Sequence, residues 1–139
     1  MNDFKPNSIE AVILFILYVC IQDGRISKEE TKELIITAPL IQKMYLDIFG
    51  EYIMFDLEFM ISEILEQLIK QSHLISGKRV KNEEKDLFSN LLTDHATQDI
   101  ALLASRTAAG ADGLHDFENR KYQYWSRQWN VKYSLMMLQ

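Results

Sequence analysis

With 139 residues, 47% of them apolar and 25% charged, the chain has the size and composition of one globular domain. Five glycines and two prolines are too few for long disordered tracts or a glycine-rich β fold, and a single cysteine excludes an intrachain disulfide and a thiolate zinc site. A net charge of −5 argues against nucleic acid as a partner, because phosphate binding rests on clustered Lys and Arg, and it leaves room for cations and basic partners.

Ser8 is placed to N-cap a first helix over about residues 8–22. The run from Ala11 to Ile21 is continuously apolar, which marks a helix at the centre of a bundle. It falls short of the ~20 residues a spanning helix needs. Asp3 and Glu10 precede it and Gln22-Asp23-Gly24 follows it, which is neither the basic start nor the cleavage site of a signal peptide. The expectation is a buried core helix in a cytoplasmic protein that does not itself cross a membrane. Cys20, inside that run, reads as a small buried hydrophobe.

Gly24 breaks the pattern, and Ser27-Lys28-Glu29-Glu30 opens a second helix with capping-box spacing between Ser27 and Glu30. That helix is expected to reach about Ala38. Pro39 starts a short helix over about 39–48, which Gly50 ends. Residues 51–72 read as a long amphipathic helix, with Ile53, Leu57, Met60, Ile64, Leu65 and Leu68 at helical spacing and Asp56, Glu63, Glu66 and Lys70 on the other side. Ser76-Gly77-Lys78-Arg79 is a loop dividing the chain into halves.

Asn82 caps a helix over about 82–94 whose inner face carries Leu87, Leu91 and Leu92. An Ala-rich helix follows over Thr97 to Ala109, interrupted by Gly110, Asp112 and Gly113, and a last long helix spans about 116–130. No strand-like alternation of any length occurs. The prediction is an all-α, single-domain bundle of about seven helices.

Two segments in this order of helices repeat one pattern. The first is Cys20-Ile21-Gln22-Asp23-Gly24-Arg25-Ile26-Ser27-Lys28-Glu29-Glu30, and the second is Ala109-Gly110-Ala111-Asp112-Gly113-Leu114-His115-Asp116-Phe117-Glu118. Each is a helix end, then Asp-Gly, an apolar residue, and a helix start with Glu in its first turn. Gly24 and Gly113 suit the positive φ of a helix C′ position, Ile26 and Leu114 can pin the turn to the core, and Glu30 and Glu118 sit where a helix dipole favours carboxylates. Each turn taken singly can therefore be a structural device.

Doubled in an all-α chain of this length, the pattern resembles the TerB-like tellurite-resistance family, over about residues 9–130. Asp23, Gly24, Ile26 and Glu30 match the first copy of the family motif. Ala111, Asp112 and Gly113 match the second, where Leu114 and Glu118 take the apolar and Glu slots across a loop one residue shorter. The resemblance implies an approximate two-fold repeat, with halves of about 8–75 and 80–133. It also implies a candidate metal site built from the two acidic turns, and association with tellurite resistance or a wider stress response, near membrane partners.

The residues bear on the metal reading directly. Asp23, Gly24, Ile26 and Glu30 equal positions 5, 6, 8 and 12 of an EF-hand loop, but positions 1 and 3 would be Val19 and Ile21, so a complete EF-hand is rejected. Two half-loops together could supply three or four carboxylates. Asp23 and Asp112 lead that candidate set, followed by Glu30 and Glu118 and then Glu29 and Asp116. All-oxygen ligation favours Ca²⁺ or Mg²⁺ over Zn²⁺. The competing account pairs these acids with Arg25, Lys28, Arg120 and Lys121, all close in sequence.

Other groups carry weaker signals. His115 reads as a capping or solvent-facing residue, and His73 and His95 as surface residues. Lys78-Arg79-Val80-Lys81 is a small basic cluster. Tyr122, Trp125 and Trp129 step by three and four along the last helix, which reads as core, or alternatively as an aromatic anchor for a protein partner. No phosphate loop, nucleophile elbow or Glu-x-x-His pair appears, so the sequence points to a binding domain without an organic cofactor rather than an enzyme.

Overall fold

The computed structural model describes residues 4–20, 57–70, 82–109 and 116–129, with isolated positions between 28 and 50. Five helices lie within them, which we label α1 (Ile9–Cys20), α2 (Leu57–Lys70), α3 (Asn82–Leu91), α4 (His95–Ala109) and α5 (Asp116–Gln128). The described residues contain no strand. The expected helices over 27–38 and 39–48 fall largely outside the described residues, although Lys28, Glu29, Ile35, Ile36 and Pro39 have helical backbone. The expected total of seven helices and the two-fold repeat therefore reach beyond what is described.

Helix α1 is the axis of the bundle. Every residue of it except Glu10 is buried, Cys20 included, because eleven apolar side chains leave no polar face to turn outward. Ser8 caps it as expected: its Oγ accepts the N–H of Ala11 at 3.2 Å. Helices α2, α4 and α5 pack against it. Helix α2 presents Ile61, Ile64 and Leu68 to the core and leaves Ser62, Glu63 and Glu66 exposed, the amphipathic pattern its spacing requires. Helix α3 reaches α1 through ring contacts, with Phe88 5.4 Å from Phe15 and 4.5 Å from Tyr18 between centroids.

One asparagine sets the register at the start of α1. Asn7 has φ of 59°, a left-handed conformation that Asn tolerates better than most residues. Its N–H donates to the Leu91 carbonyl at 2.7 Å, and its Oδ1 accepts the N–H groups of Thr93 and Asp94, both at 2.9 Å. Its Nδ2 donates to Thr93 Oγ1 at 2.8 Å. The α3–α4 turn is thereby fastened to the beginning of α1. Asp94 closes that turn by N-capping α4, accepting the Ala96 N–H at 2.9 Å. Helix α3 consequently stops at Leu91, earlier than the sequence pattern suggested, and α4 begins at His95.

These contacts fix the directions of the helices. Helix α4 starts where α1 starts, so the two run the same way. Helix α3 runs opposite, with Leu91 beside Asn7 and Glu84 beside Tyr18. Helix α5 also runs opposite, since Lys121 meets Tyr18 while Trp129 lies 5.2 Å from Phe15.

Two substitutions test this scaffold. Asn7→Ala removes three side-chain hydrogen bonds and leaves a left-handed backbone without its tolerant residue. A loss of about 1–3 kcal/mol in urea unfolding is expected. Gly50, with φ of 69°, donates its N–H to the Leu46 carbonyl at 2.9 Å, as a helix C′ residue does. A Cβ there meets nothing within 4 Å, so Gly50→Ala should cost only the left-handed backbone penalty of about 1–2 kcal/mol in the same assay.

Candidate functional site

The last turns of α1 and α4, the first turn of α3 and the second turn of α5 meet at one end of the bundle. Neighbouring residues of α5 make the junction. Lys121 donates from Nζ to the Tyr18 carbonyl at 2.8 Å, in the last turn of α1. Tyr122 lies under the Arg106 guanidinium, in the last turn of α4, at 6.0 Å from its ring centroid. From these two helix ends the chain continues into the two Asp-Gly segments. Asp23 follows Cys20 by three residues, and Asp112 follows Ala109 by three.

Asp23, Glu30 and Asp112 themselves lie outside the described residues. Asp116 and Glu118 belong to the first turn of α5 by backbone, with side chains that are not described. Glu29 is exposed on helical backbone. Among the described residues no group of three His, Cys, Asp or Glu side chains could hold a metal ion.

What the sequence did not suggest is a buried polar layer directly beneath this end. Glu84 is 2% exposed and Lys121 5% exposed, although both belong to helices rich in solvated charge. Tyr18 joins them. Its hydroxyl donates to Glu84 Oε2 at 2.9 Å and accepts the Trp125 Nε1–H at 3.4 Å. The Lys121 ammonium also sits 4.6 Å from the centroid of the Tyr18 ring, within range of a cation–π contact. Burial, and then the Glu84 charge, push the Tyr18 phenol well above the usual tyrosine range, so it remains the proton donor of the pair.

The local chemistry of this layer follows from helix ends. The last carbonyls of α1 have no partner within the helix, and the Tyr18 carbonyl finds one in Lys121, a cation at the negative end of the helix dipole. Glu84 lies in the first turn of α3, where that dipole favours a carboxylate. The signal for both residues was spacing. Lys121, Tyr122, Trp125 and Trp129 share one helical face, as do Glu84, Phe88 and Leu91.

Tyr122 and Trp125 are 1% and 0% exposed, and Trp129 is 9% exposed. Trp125 packs on Trp129 at 4.8 Å with the rings tilted by 40°, and edge-on to Phe88 at 5.9 Å. The three rings thus form part of the core, as the apolar spacing allowed, and they present no face to a partner in this arrangement. No helix among the described residues is long and apolar enough to cross a membrane. His95 is exposed, as expected for a surface residue.

No family model matches the chain, and no curated protein or solved structure matches it.

Tyr18→Phe deletes the hydroxyl and leaves the Trp125 N–H without its acceptor; a loss of about 1–3 kcal/mol is expected. The pH dependence has a definite sign. The folded phenol titrates well above its unfolded value near ~10. Its contribution is therefore complete below about pH 10 and is lost as pH rises toward the folded value. Urea unfolding of wild type and Tyr18→Phe at pH 8 and at higher pH should converge as the solution becomes alkaline. A gap that stays constant would contradict this assignment.

Proposed function

We propose that the chain is a TerB-like binding domain, associated with tellurite resistance or a wider stress response, that holds a divalent cation between its two Asp-Gly turns. Asp23 and Asp112 are the principal ligands of this reading, with Glu30 and Glu118 next and Glu29 and Asp116 behind them. The observation that supports it most is the junction at α5. Lys121 and Tyr122, consecutive in sequence, touch the last turns of α1 and α4, so the chain enters both acidic turns from one end of the bundle.

That end suits a cation for a second reason. Two helix C-termini with roughly half a negative charge each arrive there. Carboxylates, free carbonyls and water form an all-oxygen shell of the kind Ca²⁺ and Mg²⁺ take in preference to Zn²⁺. The sequence carries no phosphate loop or nucleophile elbow, which favours binding over catalysis.

A second reading has its own observation. Lys121 already brings one buried positive charge to this end. If it and its basic neighbours neutralise the acidic turns, the turns are structural and the domain is a protein-interaction module, possessing no ion response.

Thermal unfolding in chelator and then in Ca²⁺, Mg²⁺, Mn²⁺ and Zn²⁺ separates the two. An ion bound only by the folded chain at about 100 times its Kd adds ~2.7 kcal/mol. The metal reading expects a raised Tm with Ca²⁺ or Mg²⁺ that Asp23→Asn and Asp112→Asn each abolish. Modest destabilisation by the same substitutions, with no ion response at millimolar concentration, would establish the second reading instead.

A further inference from the structure

The outward face of α5 carries a feature that neither reading uses. Arg120, Gln123, Tyr124, Arg127 and Gln128 line an open groove of about 570 Å³. Arg120, Arg127 and Gln128 are exposed, and Gln123 and Tyr124 are half-buried. Tyr124 is anchored from within, its ring edge-on to Trp125 at 5.0 Å. Lys85 of α3 adds a third cation, 5.4 Å from the centroid of the Tyr124 ring. None of the described lining residues is acidic, in a chain whose net charge is −5.

We propose that this groove binds an acidic peptide segment of a partner protein. Arg120 and Arg127 are separated by two helical turns, about 10 Å, with Tyr124 between them on the same face. Two guanidinium forks at that separation suit two distinct carboxylates better than one compact anion. The Tyr124 ring offers an apolar platform for the chain between those carboxylates. Gln123 and Gln128 carry both donors and acceptors, as a peptide backbone requires and a phosphate does not.

The size of the patch decides against longer polyanions. On α3, Asp86 is turned about 100° from Lys85 and Glu83 about 160°, and both are exposed. At physiological salt, charge acts over only ~8 Å, so a short ligand feels the local cations and not the net charge. A nucleic acid or an anionic bilayer would extend past the groove onto acidic surface.

The test is fluorescence anisotropy of a short labelled Glu- and Asp-rich peptide titrated with the full chain at low salt. Its Gln- and Asn-substituted counterpart, inorganic phosphate, and phosphatidylcholine vesicles with and without phosphatidylglycerol are run in parallel. The expected result is saturable, salt-sensitive binding of the acidic peptide, absent for the neutral one. Arg120→Gln with Arg127→Gln should weaken it on the order of 100-fold, about tenfold for each charged contact, while the Tm is unchanged. Lys85→Gln should weaken it less. No saturable binding, or equal binding by the double variant, overturns the proposal. So does arginine-dependent binding of phosphate or vesicles that exceeds binding of the acidic peptide.

Discussion

A helix with no polar face has to be covered on every side, and α1 is such a helix. Eleven of its twelve residues are buried. Burying one large aliphatic or aromatic side chain is worth about 1.5–3 kcal/mol, so the arrangement that covers all of them dominates the alternatives. Coverage from every direction requires several partners, and α2, α3, α4 and α5 supply it. The directions of three of those partners then follow from short-range devices at the two ends of α1, Asn7 at its start and Lys121 at its finish.

The same burial creates a problem at the finish. The last carbonyls of α1 are as deep as its side chains, and an unpaired buried carbonyl costs about as much as a lost hydrogen bond. Lys121 answers the Tyr18 carbonyl but brings a buried charge, which is stable only when other polar groups surround it. The Tyr18 carbonyl and ring face that charge, and the Tyr18 hydroxyl is in turn bonded to Glu84 and Trp125. A purely apolar end would pack with less cost in desolvation. The polar layer instead ties α1, α3 and α5 together in one register, because each bond has a single geometrically suitable partner.

The helical content, the buried α1, the Ser8 cap and the apolar faces of α2 and α5 were legible because each follows from period and capping chemistry. The polar exceptions were not. Glu84 and Lys121 occupy inward positions of their helices, but their residue types read as solvated charge, and only a partner distant in sequence reverses that reading. Tyr18 and Glu84 are 66 residues apart, and Tyr18 and Lys121 are 103 apart. Asn7 was missed for a related reason, since its four bonds reach a turn more than eighty residues later. The two Asp-Gly segments repeat in sequence, and the directions of α1 and α4 add that the helices before them end at one end of the bundle. The placement of Asp23, Glu30 and Asp112 lies outside the described residues.

Charge balance at that end gives the two functional readings unequal demands. The structural reading has to neutralise Asp23, Glu30, Asp112 and Glu118, together with two helix C-termini worth roughly half a negative charge each. Lys121 supplies one positive charge and already spends part of it on the Tyr18 carbonyl and ring. Of the other basic neighbours whose exposure is described, Lys28 and Arg120 are exposed, and Arg120 lines the groove on the outer face of α5. Ion pairs made at exposed positions are worth about 0–1 kcal/mol each. A divalent cation carries twice the charge of a lysine and orders only the short carboxylate side chains that ligate it. The cation reading proposed above therefore asks for less side-chain ordering at exposed positions than one that relies on arginines and lysines there.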